Sequence, residues 1–189
     1  MPSRGGRRVG PIRTIALLIA GVWVLAACTL PSGSPQPDTS VGATTANQQD
    51  AIFATQLIEL NEQLVAITDI LAGKTDDVQT STNLAELERV ANERIILAKG
   101  WLQRWGRTAV EAPEPPGTLT EKQLDVLVES NGPKLAAGIA SAASSQLNGA
   151  REISESEVAG GENSRAKQVA EQLLVESEEE LSVLLRFVT

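Results

Sequence analysis

From Asp50 onward the chain spaces its apolar residues alternately four and three apart. Phe53, Leu57, Leu60, Leu64, Ile67 and Leu71 fall on one face of an α-helix, and Gly73 is a fitting stop. A second helix is predicted from about Asn83 to Trp105. Asn83 with Glu86 three residues later supplies its N-terminal cap, and Leu87, Ala91, Ile95, Ala98, Leu102 and Trp105 its inner face. The segment 111–117, EAPEPPG, breaks helical structure. Thr118 and Glu121 then have the spacing of a capping box and open a short helix at about 119–129, with Leu124, Leu127 and Val128. Asn131-Gly132-Pro133 interrupts it, and proline suits the first turn of a third long helix carrying Leu135, Ile139, Ala142, Gln146, Ala150 and Ile153. A polar stretch at 154–163, turning at Gly160-Gly161, precedes a last helix at about 164–188, with Val169, Leu173, Leu181, Leu184 and Val188. No stretch reads as a strand, and the absence of Tyr lowers β-propensity further. Long helices with one apolar face each predict an all-α four-helix bundle at 50–189, built from two helical hairpins, 50–106 and 118–189.

Ahead of this body the pattern is different. The segment 29–49 is rich in Ser, Thr, Pro, Gly and Gln, and buries too little apolar surface to order itself. It reads as a flexible tether. Before it, an apolar run at 14–27 follows Arg4, Arg7, Arg8 and Arg13. A basic start, a short apolar core and small residues before a cut site make a secretory signal, here residues 1–27. The run is shorter than the ~20 residues a spanning helix needs. Its ending, Leu25-Ala26-Ala27-Cys28, resembles the bacterial lipobox, in which the cysteine is diacylated and becomes the first mature residue. Cys28 is the only cysteine, so no disulfide framework holds the fold. Two acyl chains give stable anchoring where one is marginal. The expected location is therefore the extracytoplasmic face of the cell membrane, with the membrane itself as partner through lipid on Cys28.

Charge narrows the choice of other partners. The chain holds 24 acidic and 16 basic residues, and four of the basic ones precede Cys28, so the mature charge is −12. An acidic body argues against nucleic acid, which needs a basic footprint. It also argues against lying flat on anionic lipid.

The two predicted hairpins also align with each other. Leu60-Asn61 matches Gln146-Leu147, Ile67 matches Ile153, and Ile95 and Ala98 correspond to Leu181 and Leu184. The stretches DAIFATQLIELNEQLVAI, ILAKGWLQRWG, LNGAREIS and SEEELSVLL resemble the exported, ferritin-like domain of unknown function numbered 305, a duplicated pair of helical hairpins. Gly100-Trp101-Leu102 and Trp105-Gly106 are the most specific part. The resemblance implies a His-His pair in the first helix of each half, with Met nearby and copper bound in some members. Imidazole and thioether suit copper. This chain has no His, and its only Met is Met1. The resemblance puts Leu60-Asn61 and Gln146-Leu147 at the His positions, and Ile67, Ala98, Ile153 and Leu184 at the Met positions. The expectation is a scaffold whose metal site is filled with ordinary core. Gln146 is either a remnant of a polar pocket or a helix-interface amide with a partner. Asn61 is expected at the surface or boundary, beside the main stripe. These two are the candidates for a residual polar pocket.

Nothing in the sequence points to catalysis. Without His there is no ordinary base near neutral pH, and no nucleophile elbow, phosphate loop or zinc signature occurs. Glu-x-x-His pairs for a di-iron site are missing. Glu178-Glu179-Glu180 reads as a solvated charge run, and Trp101 and Trp105 as packing. The sequence thus predicts a lipid-anchored, non-enzymatic binding or scaffold protein with no metal or cofactor, its envelope partner unspecified. The alternative is a metal-binding protein that keeps the role the resemblance implies, in copper or other cation handling, with carboxylate and amide ligands.

Overall fold

A computed structural model of the protein describes residues 45–108 and 110–187. Cys28, the signal segment and the tether up to residue 44 lie outside the described residues, as does Val188 of the last predicted helix. Five helices make up the body: α1 Gln48–Ala72, α2 Val78–Arg104, α3 Glu121–Glu129, α4 Gly132–Gly160 and α5 Ser164–Arg186. The all-α expectation holds, with no strand among the described residues.

Local chemistry moves several boundaries from where periodicity put them. Helix α1 starts two residues early because Asn47 and Asp50 form a reciprocal capping box. Helix α2 begins five residues before Asn83, with Asp77 as its cap: the Asp77 carboxylate accepts from Thr80 N–H at 2.7 Å. The capping box of α3 is Thr120 with Gln123, not Thr118 with Glu121. The largest change is at 154–160, expected to be a polar link. Helix α4 continues through it to Gly160, because Ile153, Ser154 and Glu157 extend its buried face.

Helix α1 packs on α2 and α4, and α5 packs on α4 and α2, so the four long helices form a closed square. Asn47 at the start of α1 donates to the Gly160 carbonyl at the end of α4, so these neighbours run antiparallel. The chain order is therefore up, down, down, up, with one connection, 105–131, crossing the full length of the bundle. This is the connectivity of ferritin-like bundles with a single long crossover.

Polar side chains of α1 hold the crossover in place. Thr55 Oγ1 accepts from Val110 N–H, and Gln56 Nε2 donates to the Pro113 carbonyl at 2.9 Å. Gln63 pairs with both backbone groups of Leu119, at 2.8 and 2.9 Å. Lys74, just beyond the end of α1, closes the series with its Nζ on the Val128 and Ser130 carbonyls at the end of α3. On the other side the crossover lies directly against α4. A Cβ at Gly149 would overlap the Pro116 carbonyl, and one at Gly117 would overlap that of Ser145. Gly117 also has φ +81°, which favours glycine.

The interior divides into two apolar clusters. One, around Phe53, Leu57, Trp101 and Leu173, fills the end where α1 begins. The other, around Ile67, Leu71, Leu84, Ile139 and Leu184, fills the opposite end. Trp101 stacks on Phe53 and on Trp105 with ring centroids 6.4 and 6.0 Å apart, so the tryptophans are packing residues.

Candidate functional site

Between the two apolar clusters, at mid-height, lies a polar belt to which all four long helices contribute. Asn61 comes from α1, Arg94 from α2, Gln146 from α4, and Ser177 and Glu180 from α5. They line a cavity of about 30 Å³ together with Leu57, Leu60, Leu64, Ile153 and Leu181. A water needs ~10–15 Å³ of such space, so the cavity is on the scale of two or three waters at most.

Asn61 is only 5% exposed, contrary to the surface or boundary position expected for it. Positions 57, 60, 61 and 64 lie together on the buried side of α1, so its inward stripe is wider than the leucine pattern suggested. Burial is tolerable because Asn61 Nδ2 donates to the Leu57 carbonyl one turn back, at 2.7 Å. Gln146 is buried as well, and its Nε2 donates to Gln63 Oε1 at 2.9 Å. It is therefore an interface amide with a partner, and it also lines the cavity. The two residues from the matched positions in the two halves thus meet at one place.

The sequence does not single out Arg94, and it reads Glu180 as part of a solvated run. The two form a bidentate ion pair across α2 and α5, at 2.6 and 2.7 Å, with side chains 14% and 23% exposed. Fork-to-carboxylate geometry makes such a pair strong and directional. Glu180 thus leaves the solvated run assigned to 178–180. The sequence did hold a signal for this belt. Ser177 occupies the gap between Leu173 and Leu181 in the α5 stripe, and Arg94 falls seven residues after Leu87 in that of α2.

Copper, which the resemblance implies, is tested by this donor set. Asn61 and Gln146 offer amides, one bonded to backbone and the other to an amide. Arg94 and Glu180 are bonded to each other, and the remaining lining is mostly aliphatic. Among the described residues no group of three or more His, Cys, Asp or Glu side chains could hold a metal ion. These residues do not fit copper. The sequence expectation is also corrected here: the centre is a satisfied polar belt, not continuous hydrocarbon. Ile67, Ala98, Ile153 and Leu184, which the resemblance sets at Met positions, are all fully or almost fully buried core.

No protein-family model matches the sequence, and no curated protein is significantly similar to it. Solved structures do match. One is the crystal structure of a "putative secreted protein DUF305" from Streptomyces coelicolor: 19% identity, TM-score 0.65, covering 72% of this chain and 88% of that one. The chain has the DUF305 fold. A second match, a DUF305 fragment from Deinococcus radiodurans, has 13% identity and TM-score 0.65, covering 76% of this chain and 97% of that one. The DUF305 fold was legible from the tryptophan-glycine motif and the two matched hairpins, although identity is low.

Proposed function

We propose that this protein is a divergent DUF305-type domain, exported and held by lipid on Cys28 at the extracytoplasmic face of a bacterial cell membrane, where it serves as a non-enzymatic binding or scaffold module. The name of the Streptomyces protein of the same fold supports export, as does the basic and apolar start of this chain. The Leu25-Ala26-Ala27-Cys28 ending supports lipidation. No described helix is long and apolar enough to cross a membrane.

The observation that carries the scaffold reading is the state of the central belt. Its amides, guanidinium and carboxylate are each already engaged: the Asn61 amide with the Leu57 carbonyl of its own helix, the Gln146 amide with Gln63 across α4 and α1, and Arg94 with Glu180 across α2 and α5. An ion would have to displace these bonds and strip its own water for a poor ligand set. Titration calorimetry of the full-length protein in detergent with Cu(I), Cu(II), Zn²⁺ and Ca²⁺ tests it. The expected result is no stoichiometric binding. A submicromolar site for any of these ions would overturn the scaffold reading in favour of cation handling.

A further inference from the structure

The end of the bundle where α1 begins holds a second polar arrangement, separate from the central belt. Glu157, near the end of α4, is 0% exposed, and Asp50, in the first turn of α1, is also 0% exposed. Asp50 is richly bonded. Its carboxylate accepts from Asn47 N–H at 2.5 Å, from Glu162 N–H at 3.1 Å and from Asn163 N–H at 2.8 Å. Neither oxygen of Glu157 meets a hydrogen-bond donor. The carboxyl is wedged against the chain at Gly161, where a Cβ would overlap Oε1. What it does face is Asp50. Two carboxylates cannot hydrogen-bond unless one carries a proton.

The helix ends decide which one carries it. Asp50 lies at a helix N-terminus, where N–H groups and the helix dipole favour negative charge. Glu157 lies in the last turn of α4, where the dipole disfavours it. We propose that Glu157 is protonated and donates to Asp50, and that this shared proton latches the entry of the domain onto the α4–α5 turn. The parts latched are specific. Asn47 Nδ2 donates to the Gly160 carbonyl at 2.8 Å, and Asn163 Nδ2 to the Thr45 carbonyl at 2.9 Å. With Asp50 on the N–H groups of Glu162 and Asn163, these bonds fix residues 45–50 to 160–163.

Burial, first, and the neighbouring Asp50 push the Glu157 carboxyl up to about 8. Lys167 on α5 acts the other way, favouring the charged form. Arg107, beyond the end of α2, is engaged with Gln48 Oε1 at 2.9 Å. The native state therefore binds a proton that the unfolded chain releases near 4.5. The resulting stability is full below that value and is lost as pH rises towards 8. Above it, two negative charges share one buried corner.

Carboxyl ¹³C NMR on glutamate-labelled full-length protein tests this directly. One glutamate is expected to titrate near pH 8, and its signal to vanish in Glu157→Gln. That variant keeps a donor for Asp50 without a charge, so its melting temperature should be nearly flat from pH 5 to 9 where the wild type falls. Amide exchange gives the latch readout. Opening at Glu162 and Asn163, corrected for intrinsic rates, should rise by up to about tenfold per pH unit in this window in the wild type, and not in Glu157→Gln. A wild-type protein in which every glutamate titrates below pH 6 overturns the proposal, whether or not the variant folds. So does equal pH dependence of melting in the two proteins. A wild-type melting temperature at pH 9 restored by Ca²⁺ would make a cation, not a proton, the bridging species and would equally overturn it.

Discussion

Two glycines distinguish residues that fit helices from residues that fit this fold. Gly149 and Gly100 are both inside long helices, where alanine is ordinarily better by about 1 kcal/mol. At Gly100 a Cβ meets only Arg104 Nη1, at 3.6 Å, whereas at Gly149 it would overlap the Pro116 carbonyl of the crossover. Gly100→Ala is therefore expected to raise stability by about 0.5–1 kcal/mol. Gly149→Ala should lower it by about 1–3 kcal/mol, the usual cost of overpacking. Urea unfolding of the two variants checks both signs. Leu64, 5% exposed beside the central cavity, gives the harsher test. Leu64→Asp places an unpaired charge in the interior and should cost more than about 4 kcal/mol or prevent folding. Unchanged unfolding would contradict the inward face of α1. The inward leucines were legible because their period is unambiguous. Asn61 and Glu157 were not, since polarity alone put them outside, and only their partners make burial possible.

At the scale of elements, the crossover and the α2–α5 contact each depend on few side chains. Gln63 serves three bonds at once, two to Leu119 and one to Gln146. Gln63→Ala would leave those groups partly buried without partners, at a cost of about 1–3 kcal/mol. Protection of the Leu119 amide in hydrogen exchange should fall with it. Arg94→Met should be more destabilising than Arg94→Met combined with Glu180→Leu, because the single change leaves a half-buried carboxylate alone. A double variant no better than the single would mean that the pair is effectively solvated. The surface cluster Arg89, Glu86 and Glu93 is a contrast: these exposed pairs within one helix lend little. The sequence located all five helices because each has its own stripe or cap. It missed the start of α2, which stands outside the core and is marked only by the Asp77 cap, and the last turns of α4, whose buried face continues through the polar Ser154 and Glu157.

For the whole molecule, the two-hairpin plan followed from the internal match between halves. The relative direction of α1 and α4 did not. A Pro-rich segment permits either a short turn or a long crossover, and the bonds from Thr55, Gln56, Gln63 and Lys74 decide in favour of the latter. The lipid anchor is testable at this scale. Cys28→Ser should move the protein from the membrane pellet to the soluble fraction with an unchanged melting temperature. Intact mass must show whether the signal segment was removed, since an uncut one would hold the protein by itself. Membrane retention of a correctly cut Cys28→Ser protein would refute lipid anchoring.

The up-down-down-up path also separates the two ends of the described body. Residue 45 enters beside the α4–α5 turn, while α5, 23 residues long, carries residue 187 to the opposite end, about 35 Å away at 1.5 Å per residue. A fluorophore attached at residue 187 would thus stand at the pole farthest from the point of entry. Energy transfer from it to a dye near residue 45 would act as a ruler for whether the rod keeps its full height.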